Sequence, residues 1–238
     1  MTEKKEDKKQ DKKEDKKQEK PKLSKKEIEK KQERQATIVI GIMVFIIFAA
    51  IGTYAGLKMS NHFTYNGLNF QKTKYGEILL YSVDIPVASS SGQILGHTHV
   101  DFRNDPRKLD DIEVDIDGKM VFSRKVYISV EEPIDCEYKP VALGNLALFF
   151  HNTDAEIIWG SFTEEFAEQE ELPHITCDNA STNTVILFRQ AEETSVKEIE
   201  DDCYEILFNG CEDITKPSEK FVLEIIDQHM DKVNDLVR

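Results

Sequence analysis

No cysteine stands before residue 136, no CxxC pair occurs, and tryptophan appears once, at Trp159. GxSxG, a Walker phosphate loop and HExxH are all missing. The usual signatures of serine hydrolases, P-loop nucleotide binding and zinc proteases are therefore absent. Without CxxC or a Cys/His knuckle spacing, a structural zinc has no ligand set. No cofactor is implied. Charge is lacking too over one long run: Ala36 to Leu57 holds 22 residues without Asp, Glu, Lys or Arg.

That run is what the chain is organised around. A helix of this length spans about 30 Å, the thickness of a bilayer's hydrocarbon core. It separates two differently charged sides. Residues 1–35 hold 15 basic and 10 acidic residues, out of 31 and 45 in the whole chain, which leaves 16 and 35 beyond them. The first side is a low-complexity Lys/Glu polyampholyte with almost no apolar residue, expected to be disordered. The second is acidic and repels phosphate backbones, so nucleic acid is not an expected partner.

Seven basic residues lie between Lys20 and Arg34, against only Lys58 and Lys72 between the apolar run and Thr73. By the positive-inside rule the N-terminus stays in the cytoplasm and residues 58–238 are exported, with 36–57 as a single-pass signal anchor in the cell membrane. Two other readings exist. A cleaved signal peptide would use Thr53-Tyr54-Ala55, but its n-region and apolar region would be shorter. A pilin-like subunit would need a processing site, which Gln35-Ala36 matches poorly. Gly52 and Gly56 form a GxxxG, one helical turn apart, where a second copy of the helix can approach closely to make a homodimer.

The expected fold class of the exported part is α+β, with α/β as the alternative. Residues 61–130 read as mostly strands in an antiparallel sheet. Phe63–Phe70 and Glu77–Ile85 are expected to pair across a turn at Gly76, and His97–Arg103 alternates polar and apolar. Asp111–Ile116 alternates strictly and leads into Asp117-Gly118, a hairpin signal, and then Met120-Val121-Phe122. Lys125–Val130 is a further strand. Residues 131–238 read as mixed: a buried helix over Pro140–Phe150, a strand at Glu156–Gly160, a helix over Thr163–Gln169, and a strand-like His174–Cys177. Strands follow at Thr184–Arg189, Val196–Ile199 and Cys203–Phe208. A last helix starts near Thr215-Lys216-Pro217, with Phe221, Val222, Ile225, Ile226, Met230 and Val233 as its apolar stripe.

Cys136, Cys177, Cys203 and Cys211 all lie beyond the apolar run, an even number that suits two disulfides in an oxidising compartment. Four cysteines allow three pairings. If the strands before Cys136 and Cys177 are parallel neighbours, those two sulfurs meet, and Asn209-Gly210 turns Cys211 back toward Cys203. A redox role for Cys136 at a helix start is a weaker alternative.

His97, His99 and Asp101 form an HxHxD on one strand face, the ligand types of a metal-dependent hydrolase. The solvent face of a strand explains the same residues without a metal. The Glu113–Gly118 run resembles a calcium loop, but its twelfth residue is Arg124 where a bidentate Glu is required. Asn179-Ala180-Ser181 is an N-glycosylation acceptor on the exported side.

Tyr65-Asn66-Gly67-Leu68-Asn69-Phe70, Arg103-Asn104-Asp105-Pro106-Arg107, Ile175-Thr176-Cys177 and Cys203-Tyr204 with Gly210-Cys211 resemble motifs of a group of uncharacterised archaeal single-pass membrane proteins. The resemblance covers residues 63–226 and implies no activity and no functional residue. The sequence thus points to a membrane-anchored envelope protein, non-enzymatic, whose exported domain binds an envelope component or itself. The lipid bilayer is its first partner. The alternative is a metal-dependent hydrolase centred on His97, His99 and Asp101.

Overall fold

The computed structural model describes residues 25–88, 93–120, 122–132, 134–153 and 155–237. The chain divides between Gly56 and Leu57 into two compact units.

The first unit is dominated by one helix, α1 (Lys25–Ser60). Within it Glu33–Tyr54 is long and apolar enough to cross a membrane, with a mean hydropathy of 2.6. Phe45 and Phe48 are 73% and 69% exposed, and a helix that is apolar all round is stable only when something apolar covers it. Thr37 and Thr53 return their hydroxyls to the carbonyls of Glu33 and Ala49, so neither leaves a donor unsatisfied in that run. The helix also takes in Lys25–Gln35, a stretch expected to be disordered. Elongating an existing helix avoids a fresh nucleation cost. The rest of the expected disordered tail, residues 1–24, lies outside the described residues.

The second unit has the α+β fold. Its first sheet is an antiparallel meander of β1 (His62–Tyr65), β2 (Leu68–Tyr75), β3 (Ile78–Ala88) and β4 (Ile94–Phe102). Phe63–Phe70 is therefore not one strand. It is a hairpin turning at Asn66-Gly67, both with positive φ, 46° and 75°, the type I′ signature that an Asn-Gly pair favours. Leu68, Phe70, Val83, Ile85, Val100 and Phe102 alternate onto its buried face.

The second sheet is mixed. It contains β5 (Glu113–Asp115), β6 (Lys125–Val130), β7 (Glu156–Ser161), β8 (Thr184–Gln190), β9 (Ser195–Glu200) and β10 (Cys203–Phe208), ordered β5-β9-β10-β8-β6-β7. β10, β8, β6 and β7 run parallel. β9 is antiparallel to β10, and β5 lies parallel to β9. Thus β5 and β6, expected in the antiparallel part, belong to the mixed sheet. Central β8 is buried from Thr184 to Phe188, as a strand covered on both faces must be. The hairpin expected after Asp117-Gly118 does not form among the described residues. The Met120 amide donates to the Gln228 side chain instead of to β5, and Phe122 turns into the core beside Phe150, Tyr204 and Phe221.

Helices α2 (Lys139–His151) and α4 (Thr215–Val237) lie between the two sheets. Leu146 and Phe149 of α2 and Val222 of α4 line one small pocket together with Val100 and Phe102 of β4, while Phe221 of α4 packs on Tyr204 of β10. Leu223 is buried as well, because α4 is covered on both sides rather than along the single stripe expected. The far face of the mixed sheet carries a smaller cluster of Ile175, Ala180, Val185, Leu187 and Cys203. Short α3 (Glu164–Gln169) and a 3-10 turn at Cys177–Ser181 adjoin it; His174 makes only a single bridge to Ser161 rather than a strand.

Gly160 marks the tightest approach in this region. A Cβ there would come within 2.6 Å of the Pro173 carbonyl oxygen and 2.3 Å of Ile175 Cδ1. Because a backbone atom would have to move, Gly160→Ala should destabilise the head by about 1–3 kcal/mol. A shift in the urea midpoint measures the loss, and an unchanged midpoint would refute this packing.

Candidate functional site

The four cysteines form two disulfides, Cys136–Cys211 and Cys177–Cys203. Neither pair is the one expected from the sequence. β6 and β10 run parallel, so Cys136 and Cys211, which follow their C-terminal ends, arrive at the same end of the sheet. Cys203 opens β10, opposite Val185 at the start of β8, and meets Cys177 in the turn that leads into β8. The extended strand between Cys203 and Cys211 keeps that pair apart. Both sulfurs of each bridge are committed, so Cys136 is not a free thiol in this structure.

On the solvent face of the meander, His97, His99 and Asp101 alternate outward as expected. His99 Nδ1 lies 2.7 Å from Asp84 and Nε2 lies 3.2 Å from Asp101. Its hydrogen bond to Asp84, with the nearby Asp101 charge, raises the imidazole pKa above its ordinary value, against a smaller opposing effect of burial. Asp101 also accepts from Ser82. Among the described residues His97 joins neither carboxylate, and no group of three or more His, Cys, Asp or Glu converges as metal ligands. The place offered as an alternative metal site thus holds an exposed ion triad in which both nitrogens of His99 already face carboxylates. An exposed triad of this kind contributes little to stability.

Residues of two stretches singled out in the sequence, Tyr65–Phe70 and Arg103–Arg107, serve as fastenings. Glu219 of α4 accepts from the Arg103 and Asn104 amides at 2.7 and 2.9 Å and from the Asn104 side chain. Asp105 caps the following 3-10 turn and grips the Arg107 guanidinium at two atoms, which holds that carboxyl below its ordinary pKa. Arg107 in turn lies 4.2 Å over the Phe63 ring, within cation–π range. Asn66, at the hairpin tip, donates to Asp227, and Tyr65 donates to Asp110. Glu219 and Asp227 thus fasten the meander and the residues that follow it to α4.

Burial pushes the Glu219 carboxyl above its ordinary value, against the three N–H donors that pull it down. A carboxyl whose folded pKa is raised binds more protons folded than unfolded. Stability from this group is therefore present at low pH and falls as pH rises from about 4.5 through the folded pKa. Glu219→Gln removes the ionisable carboxyl and so should lose less stability than the wild type as pH rises to 7. Urea titrations from pH 4 to 8 measure this, and an unchanged profile would contradict the assignment.

Asn179 is exposed, and its side-chain oxygen accepts from the Thr176 amide in a capping box of the 3-10 turn. Gly52 and Gly56 stand on α1 with open space where a Cβ would project.

Sequence reasoning gave no sign of one large concave feature. A cavity of about 1110 Å³ opens between β3, β4, the C-terminal end of α2, α4 and the segment preceding β6. Its floor is apolar: Ile85, Phe149, Phe150 and Ile226 are buried, with Met120, Phe122 and Ile225 half-buried. Its rim carries Lys119, Arg124 and Lys232 with a single acid, Asp231. The wall is anchored: Gln228 accepts from Met120 and donates to Gly118, and the Ser123 amide donates to Thr184. His229 reaches the Pro86 carbonyl at 3.0 Å. No periodic signal marks such a site, because its walls come from five separate segments.

Among the described residues, one helix of membrane-crossing length followed by an α+β head held by two disulfides is the class of protein these features define. The chain matches no protein-family model, no curated protein and no solved structure.

Proposed function

We propose that this is a single-pass membrane protein of the cell envelope. Its N-terminus faces the cytoplasm, and its disulfide-linked head lies outside and acts by binding rather than catalysis. The observation that carries this reading is the position of both disulfides, each closed entirely beyond the apolar helix, because such bonds persist in oxidising compartments. The excess of lysine before the helix supports the same orientation. A large open cavity supports binding as the head's role. Protease added to intact cells tests sidedness: loss of the head with an epitope on residues 1–24 spared is expected. Removal of that epitope with the head intact would overturn the reading.

A further inference from the structure

The cavity's chemistry is unlike that of the surface around it. Beyond residue 35 acids outnumber bases by 35 to 16, yet the rim reverses this ratio with three cations and one acid. Lys119 and Arg124 lie on the segment that leads from Gly118 into β6, and Lys232 stands on α4, so two stretches remote in sequence bring positive charge to one mouth. Among the described residues none of the three is ion-paired with a carboxylate. All three are exposed. Beneath them the floor offers aliphatic and aromatic side chains, with Phe149 and Phe150 buried and Phe122 half-buried.

We propose that this cavity binds one anionic amphiphile with a single long apolar chain, of the fatty carboxylate type. The chain lies against Ile85, Phe122, Phe150 and Ile226, and the carboxylate meets Lys119, Arg124 and Lys232. This deepens the binding role proposed above and rests on it. An apolar floor alone would take any hydrophobe. Three unpaired cations at its mouth select for an anionic end, since each charged partner would leave water for a charge-assisted hydrogen bond. The volume of about 1110 Å³ lies just above the roughly 300–1,000 Å³ found for small-ligand sites, so a flexible chain has room to enter. Each methylene that moves from water to the floor is worth about a fourfold gain in affinity. Affinity should therefore climb steeply with chain length.

The probe is a sixteen-carbon carboxylate with a mid-chain diazirine, photolysed with the full chain in zwitterionic nanodiscs and mapped by mass spectrometry. Its methyl ester serves as the uncharged counterpart. Expected adducts fall on peptides containing Met120 and Phe122, Phe149 and Phe150, and Ile225 and Ile226. Unlabelled palmitate should compete, while acetate and inorganic phosphate should not. Lys119→Glu/Arg124→Glu/Lys232→Glu should cut carboxylate labelling at least tenfold and leave ester labelling unchanged. The matched control Lys74→Glu/Lys108→Glu/Lys125→Glu should leave both as in the wild type. Ala155→Trp, which puts a bulky ring in the cavity wall, should reduce both.

Equal labelling of wild type by carboxylate and ester would overturn the proposal, as would adducts confined to other peptides. Competition by phosphate alone would point to a free anion and overturn it too. Adducts of nanodisc lipid in the cavity, undisplaced by palmitate, would mean a bilayer lipid is the occupant and would also overturn it. Nanodiscs expose both faces of the bilayer. A failure here therefore leaves the proposed orientation standing, and a reversed result in intact cells leaves the ligand result standing.

Discussion

Replacing Cys136 and Cys211 with serine should lower the unfolding free energy of the head by about 4 kcal/mol, and replacing Cys177 and Cys203 by about 3.5 kcal/mol. The order follows from loop length, because the first bridge joins residues 75 apart and the second joins residues 26 apart. Closing a longer loop removes more freedom from the unfolded chain. The single tryptophan, Trp159 on β7, is a convenient reporter for urea titrations of each double mutant. Non-reducing peptide mapping should recover the Cys136–Cys211 and Cys177–Cys203 linkages. Recovery of Cys136–Cys177 would contradict the parallel arrangement of β6 and β10, and with it the location of the cavity wall that precedes β6.

The second large effect is expected at Phe221. Its ring is fully buried, lies 5.3 Å from Tyr204 and 6.2 Å from Phe122, and so joins α4 to the mixed sheet. Phe221→Ala should cost about 3–5 kcal/mol, the transfer free energy of the ring plus the hole it leaves. Leu79→Ala, at a residue 42% exposed, should stay within about 0.5 kcal/mol and serves as the surface control. Equal midpoint shifts for the two would mean that the layer between the sheets is not packed as described.

Much of the local structure was legible because it depends on neighbours in sequence. The alternation over His97–Phe102 sets which side chains face water, and Val100 and Phe102 are buried as that pattern requires. The buried run before Phe150, the stripe on α4 and the short strands around Leu187 and Ile206 follow the same logic. Where expectation and structure part, a distant residue intervenes. Gln228 takes the Met120 amide, and no hairpin follows Gly118 among the described residues. The Asn66 side chain holds its turn against Asp227, 161 residues away. The HxHxD pattern becomes an ion triad because Asp84, on the neighbouring strand, takes one nitrogen of His99.

By itself the sequence determined that the chain has one apolar helix long enough for a bilayer, a lysine-rich side, an acidic side with every cysteine, and an alternating set of strands. Each of these depends on composition or on a period of two or 3.6 residues, which a linear string displays directly. The tertiary structure alone decided which sulfurs meet, which sheet β5 and β6 join, and that basic side chains from two remote segments gather over one apolar floor. Those are facts of proximity between remote segments, and only the parallel packing of strands and the helix layer between two sheets brings them together.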